Sequence, residues 1–126
     1  QRNSLNNLIK ADEFEEQDDI FIAKKNGAVI GKVKKIYSQG YSSMIELLVG
    51  IDNDNKITGI KVLSQAETPG LGANIIKEEF QKQFIGKDKD TVKLKIDNGQ
   101  IDEITGATIS SKAVSNGISI ALKQND

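Results

Sequence analysis

The segment Ile104-Thr105-Gly106-Ala107-Thr108-Ile109-Ser110-Ser111-Lys112 gathers four hydroxyls, a glycine and an ammonium around one turn. Just beyond it, Val114, Ile118 and Leu122 recur at every fourth position with Ala113, Gly117 and Ala121 beside them, which predicts a helix from Ser110 or Ser111 to about Leu122. The first turn of a helix carries unpaired N–H groups and a partial positive charge, so the space next to Thr108 suits an anion such as a phosphate. Gly106 leaves room for a bulky group, and Ser110, Ser111 and Lys112 offer hydroxyl and ammonium donors. The same residues also fit a plainer role, in which Thr108 or Ser110 caps the helix and Gly106 permits the turn. The segment lacks the lysine of a phosphate-binding P-loop and the spaced glycines of a dinucleotide fold, so neither nucleotide template applies.

A second informative stretch is Gln65 to Ile75, QAETPGLGANI. Pro69 fixes its own φ and restrains Thr68, while Gly70 and Gly72 permit close backbone approach. Leu71 is then an apolar residue carried by a stiff loop. That suits contact with a flat, partly apolar ligand, and it equally suits a buried plug that closes the loop.

The elements that must position these stretches can be read from periodicity. Ser4 to Glu16 is expected to be a short helix, capped by Ser4, with Leu5, Leu8 and Ile9 on one side and Phe14 extending the contact. Ile20 to Lys24 is a short apolar strand ended by the turn pair Asn26-Gly27. Ala28 to Tyr37 reads as a strand exposed on one side. Tyr41 to Ile51 reads as a nearly central strand, with Ile45, Leu47, Val49 and Ile51 on one face and Leu48 on the other. Lys56 to Ser64 follows the turn cluster Asp52 to Asn55, and these strands are expected to pair as hairpins. Ile76, Phe80 and Phe84 recur at every fourth position and predict an amphipathic helix from about Ala73 to Phe84 that Gly86 stops. Thr91 to Ile96 is expected to be a strand with Val92, Leu94 and Ile96 inward. The fold class is α+β, a mostly antiparallel sheet with amphipathic helices packed on one side of it.

Composition narrows the chemistry. The 126 residues fit a single domain, and 17 basic against 18 acidic side chains leave a net charge of -1, with no concentration of positive charge to draw nucleic acid. With no cysteine and no histidine, the chain offers no disulfide, no thiolate-held cluster, no cysteine nucleophile and none of the usual imidazole chemistry. Redox chemistry would have to reside in an organic cofactor. No run is long enough to span a bilayer, and the sequence begins at Gln1 without a signal peptide, which leads to the expectation of a processed chain or a fragment whose membrane anchor lies upstream.

Together the two stretches resemble the FMN-binding domain shared by the G subunit of Rnf-type electron-transport complexes and the C subunit of sodium-translocating NADH:quinone oxidoreductases. The family's modified segment, Ser/Thr-Gly-Ala-Thr preceded by an aspartate, is matched by Asp102-Glu103-Ile104-Thr105-Gly106-Ala107-Thr108, and its upstream loop by Glu67-Thr68-Pro69-Gly70-Leu71-Gly72. The resemblance runs from about Gly40 to Ile118. Glu103 departs from it, standing where the family often has glycine, and the family's amino-terminal membrane helix is not part of this sequence.

The resemblance implies a fold and a function. Residues 1–19 would be a helical lead-in following a missing upstream segment, and 20–126 the FMN-binding domain. FMN would be covalently joined, through a phosphoester, to Thr108 by a separate flavin transferase that uses FAD as donor. Its phosphate would lie against the donors near Ser110, Ser111 and Lys112, beside Thr105, Gly106 and Ala107. Thr68 and Leu71 would approach the ring or ribityl chain, with Gly70 and Gly72 making room and Glu67 fixing the loop through backbone N–H groups. No catalytic residue and no metal site is expected. The chain would then be an electron-carrier subunit of a membrane-bound, Rnf-type ion-translocating complex, partnered by other membrane subunits, with its domain on the extracytoplasmic side of the cell membrane. The alternatives are the C-type protein of the sodium-translocating quinone reductase, a non-redox binding or scaffold domain, and a free-standing flavoenzyme, the last disfavoured by the lack of a substrate base or nicotinamide motif.

Overall fold

Five strands make one antiparallel sheet in chain order, seen in a computed structural model that describes the backbone of residues 2–124 and the side chains of residues 5–124. The elements are α1 (Arg2–Leu8), β1 (Glu13–Gln17), β2 (Ile20–Lys25), β3 (Ala28–Gln39), β4 (Met44–Asp52), β5 (Ile57–Ser64), α2 (Glu78–Gln81) and α3 (Thr108–Lys123). The hairpin turns carry the residues their geometry demands. Asn26 and Gly27, with φ of 54° and 81°, form the left-handed pair between β2 and β3, and Asn55 at 62° serves the β4–β5 turn, where Asp52 accepts the N–H of Asp54 and Lys56.

The sheet separates two cores. Ile45, Leu47, Val49 and Ile51 of β4 join Ile57, Ile60 and Val62 of β5 under Val114, Ile118, Ala121 and Leu122 of α3, with Ile75, Phe80, Phe84, Val92, Leu94 and Ile101 closing the sides. On the opposite face, Leu5, Leu8 and Ile9 pack on Phe21, Ala23, Val33 and Leu48. The helices therefore cover both faces rather than the one expected, because β4 presents Leu48 opposite its main apolar row and that surface also needs cover. β3 is likewise covered on both faces. Its Lys34 is buried and donates from Nζ to the carbonyl of Ala121 at 3.1 Å, where a cation complements the C-terminal end of α3.

Three expected elements come out differently. The helix over Ser4 to Glu16 stops at Leu8, and Ser4 falls within the helix instead of before it. Glu13–Gln17 turns into the strand β1, which pairs with β2 from Glu13 opposite Lys24 to Gln17 opposite Ile20. Phe14 still reaches the second core, now from a strand. The expected helix over Ala73 to Phe84 is broken into a 3₁₀ segment at Gly72–Ile76, an extended Lys77 with ψ of 140°, the single turn α2, and a second 3₁₀ turn at Lys82–Phe84. Phe80 and Phe84 are buried edge to face, with ring centroids 5.4 Å apart, but the break rotates Ile75 inward and leaves Ile76 54% exposed. This segment and the turn after it also bond to the sheet. Gly86 donates to Ile57 at 2.7 Å, Ile57 donates to Lys87 at 2.9 Å, and Gln81 Oε1 accepts the N–H of Val62, so this segment seals the open edge of β5. Finally, Thr91 to Ile96 forms only a bridge between Leu94 and Ile101 before a 3₁₀ turn at Lys95–Asp97. Val92 and Leu94 point inward as expected, and Ile96 points to solvent.

Candidate functional site

Two turns of the same build meet at one end of the sheet. In the first, Leu71 donates its N–H to Thr68 at 3.0 Å, Pro69 takes the second position, and Gly70 takes the third with φ of 78°. In the second, Ala107 donates to Ile104 at 2.9 Å and Gly106 holds the third position at 79°. A left-handed third residue is what a type II turn requires, and glycine adopts it without strain. The two turns touch: a Cβ placed on Gly106 would lie 3.1 Å from Leu71 Cδ2.

Glu67 ties the first turn to the rest of the molecule. Its carboxylate is buried and accepts the N–H of Tyr41 at 2.7 Å, the N–H of Ser42 at 3.2 Å, the hydroxyls of Ser42 and Ser43, and the hydroxyl of Ser110 at 2.6 Å. Burial pushes this carboxyl up, but the hydrogen bonds from Ser110, Ser43 and the two backbone N–H groups outweigh it and hold the group down at about 2. Gly72 lies against Ser110 Oγ and 2.9 Å from Glu67 Cβ, measured from where a side chain would begin, so the loop packs directly on the start of α3. Glu67 thus clamps the β3–β4 loop, its own loop and α3 together.

The start of α3 is not capped by any side chain. Ala107 occupies the cap position, and the first intrahelical bond runs from Ser111 N–H to Ala107 at 3.1 Å, so the N–H groups of Thr108, Ile109 and Ser110 precede the ladder. The plain capping role for Thr108 or Ser110 is therefore not what these residues do. Ser110 donates to Glu67. The Thr108 hydroxyl donates to Glu103. Ser111, fully buried, donates to Ala107 at 2.8 Å and accepts the N–H of Ile104 at 2.9 Å, which locks the turn onto the helix.

These pieces enclose a cavity of about 560 Å³ lined by Tyr41, Thr68, Leu71, Gly72, Gly106, Ala107, Thr108, Ile109 and Ser110. That volume is in the range of small-molecule and cofactor sites. Thr68, Leu71, Gly72, Gly106, Ala107, Thr108 and Ser110, all read from the sequence, converge at this cavity. Leu71 is 42% exposed, so it is a wall of the cavity and not a buried plug. Glu67 lies beneath the wall. Ser111 is behind the turn, and Lys112 points to Asp97 at 3.5 Å instead of into the cavity. Thr105 and Gly70 line a neighbouring cavity of about 660 Å³ with Lys77, Lys82, Asp102 and Glu103. Sequence reasoning missed Tyr41 and Ile109 as lining residues and Ser42 and Ser43 as partners of Glu67. The one available signal was Gly40-Tyr41-Ser42-Ser43 at the head of the matching region.

Chemically, the cavity combines unpaired helix N–H donors, the hydroxyl-bearing side chains of Thr68 and Thr108 and a largely apolar rim of Tyr41, Leu71 and Ile109. An anionic group at the helix start with a flat, partly apolar body against the rim fits it. FMN has this character, and the donor set matches a phosphate.

Comparison with known proteins agrees with this geometry. The family described as the FMN-binding domain matches residues 40–123. The G subunit of the proton-translocating ferredoxin:NAD(+) oxidoreductase complex of Clostridium ljungdahlii is 39% identical over 123 residues, covering 95% of this chain and 66% of that protein. The G subunit of the ion-translocating oxidoreductase complex of Methanosarcina acetivorans is 47% identical over 90 residues, covering 71% of this chain and 48% of its own length. The chain thus spans about half to two thirds of the length of these relatives. Among solved structures, the C subunit of the Na(+)-translocating NADH-quinone reductase of Parabacteroides distasonis superposes with a TM-score of 0.66 at 29% identity, covering 82% of this chain and 58% of that one.

Proposed function

The chain belongs to the FMN-binding domain family, and from that premise we propose that it is the flavin-bearing, electron-carrying domain of a G-type member of an Rnf-type ion-translocating complex, with FMN joined through its phosphate to Thr108. The observation that carries this reading is the convergence of two type II turns on one cavity at a helix start that no side chain caps. FMN would supply reversible electron transfer, for which no amino acid of this chain is suited.

The chain's own residues have distinct tasks. Thr108 offers the ester oxygen from the first residue of α3. The N–H groups of Thr108, Ile109 and Ser110, at the positive end of a 16-residue helix, would hold the phosphate. Leu71, Tyr41 and Ile109 would wall the flavin body on one side, and a carrier that exchanges electrons with other proteins needs the other side open. Glu67 stays ionised and fully hydrogen-bonded beneath the loop, where it orders the site without presenting a bare charge to the phosphate.

The names of the relatives at 39% and 47% identity support the G-type assignment over the C-type alternative, which shares the fold. The uncapped helix start weighs against a mere scaffold domain, for which a Ser or Thr cap would suffice. In the proposed assembly the partners are other membrane subunits, and a separate flavin transferase performs the attachment. An anchor amino-terminal to this chain would hold the domain on the extracytoplasmic side. Among the described residues no helix is long and apolar enough to cross a membrane, so an anchor would have to lie elsewhere in the gene product.

Co-expression with a flavin transferase tests the reading. The protein should keep its yellow colour after denaturation, gain the mass of FMN less water, and yield a modified peptide carrying flavin on Thr108. Flavin found on Ser110 or Ser111 instead, or an unmodified chain alongside an active transferase, would overturn it.

A further inference from the structure

We infer that Glu103 takes the proton of the Thr108 hydroxyl when that hydroxyl is esterified, an inference that rests on the attachment reading above. The Thr108 hydroxyl donates its hydrogen bond to Glu103 Oε2. Thr108 lines the cavity offered to the flavin, whereas Glu103 lines the neighbouring one. The O–H bond is therefore aimed out of the flavin cavity, and the lone pairs of the oxygen are left for an electrophile inside it.

The surroundings single out this carboxylate. Asp102 pairs with Lys95 at 2.8 Å and Asp97 with Lys112 at 3.5 Å, while no ion pair involves Glu103 among the described residues. Glu67, the other acid near the cavity, is already filled by the donors of Tyr41, Ser42, Ser43 and Ser110 and lies beneath the loop. An alcohol is a weak nucleophile until a base removes its proton, and a chain without histidine has a carboxylate as the base it can place at this atom.

The step balances. Thr108 Oγ forms a bond to the phosphorus next to the flavin half of a flavin dinucleotide donor, its proton passes to Glu103, and the phosphoanhydride P–O bond breaks. The nucleoside monophosphate leaves with that electron pair, and no atom changes oxidation state.

The test is the rate of attachment to this chain by a purified transferase with FAD, read as covalent flavin by intact mass. Glu103→Gln keeps the size and an oxygen acceptor for the Thr108 hydroxyl but cannot take up the proton. It should lower kcat for attachment on the order of 10²-fold with KM for this chain unchanged. Glu103→Asp should recover part of the rate, and thermal unfolding of both variants should match the parent. A Glu103→Gln rate within about twofold of the parent, or a defect confined to KM, overturns the inference while the attachment reading stands. A parent chain that never acquires flavin on Thr108 overturns both.

Discussion

The two turns at the cavity are nearly the same object in backbone terms, and the length of helix behind each one gives it a different job. Thr68-Pro69-Gly70-Leu71 and Ile104-Thr105-Gly106-Ala107 are each closed by one hydrogen bond and each hold a left-handed glycine third. After Leu71 the chain makes a 3₁₀ segment and breaks at Lys77. After Ala107 it continues as α3 for 16 residues. Aligned peptide dipoles and unpaired N–H groups build an anion seat only where the helix is long and regular, so the second turn can hold a phosphate and the first can only present a side chain. The first turn accordingly contributes a wall, Leu71, and the second contributes Thr108, the attachment point in the proposed function.

The largest expected effect breaks this comparison directly. Thr68 and Thr108 both line the cavity with a hydroxyl-bearing side chain. If only the turn backed by α3 accepts flavin, Thr108→Ala abolishes covalent flavin in the co-expression assay while Thr68→Ala retains most of it. Equal loss in the two variants would mean that attachment depends on the cavity as a whole and not on the helix start.

Next in size is the clamp that holds the two turns in contact. Replacing Glu67 by Ala leaves the hydroxyl of Ser110 and the N–H groups of Tyr41 and Ser42 without their partner, and the expected loss is about 3 kcal/mol in chemical denaturation. The same clamp predicts a pH dependence with a definite sign. The Glu67 carboxyl lies at about 2 in the folded chain against an ordinary 4.5, so its contribution is fully present above 4.5 and is lost as pH falls toward 2. The linked loss is again about 3 kcal/mol. Glu67→Gln should be less stable at neutral pH and show a flatter profile across that window. A parent and variant with parallel profiles would show that Glu67 does not carry the linkage.

Much of the fold was legible in residue spacing where the environment of an element is uniform. Val114, Ile118 and Leu122 face one continuous core along α3, so the period of the sequence is the period of the structure. Ile45, Leu47, Val49 and Ile51 likewise lie on one side of a pleated strand. The segment from Ala73 to Phe84 carries the same period-four stripe and does not form one helix; its Gln81 side chain bonds to the edge of β5, as do Gly86 and Lys87 just beyond it. Those bonds belong to the sheet, and no local pattern encodes them. The candidate site divides similarly. Thr108, Gly106 and Leu71 were readable from their own turns, but Tyr41 and the Thr108–Glu103 contact depend on how loops distant in sequence, or folded back on themselves, come together.

The smallest effect sharpens the comparison most. Gly70 and Gly106 have φ of 78° and 79°, so alanine at either position costs about 1 kcal/mol from the same left-handed strain. Their surroundings differ. Nothing lies within 4 Å of a Cβ added at Gly70, whereas one added at Gly106 meets Leu71 Cδ2 at 3.1 Å, the flexible end of a side chain that can give way. Gly70→Ala and Gly106→Ala should therefore lose similar stability in thermal unfolding. Only Gly106→Ala should displace Leu71, and the visible circular dichroism of the attached flavin should change in that variant while Gly70→Ala keeps the parent spectrum. The reverse result, an altered flavin signal in Gly70→Ala alone, would mean that the flavin leans on the tip of the first turn and that the contact between Leu71 and Gly106 does not shape the site.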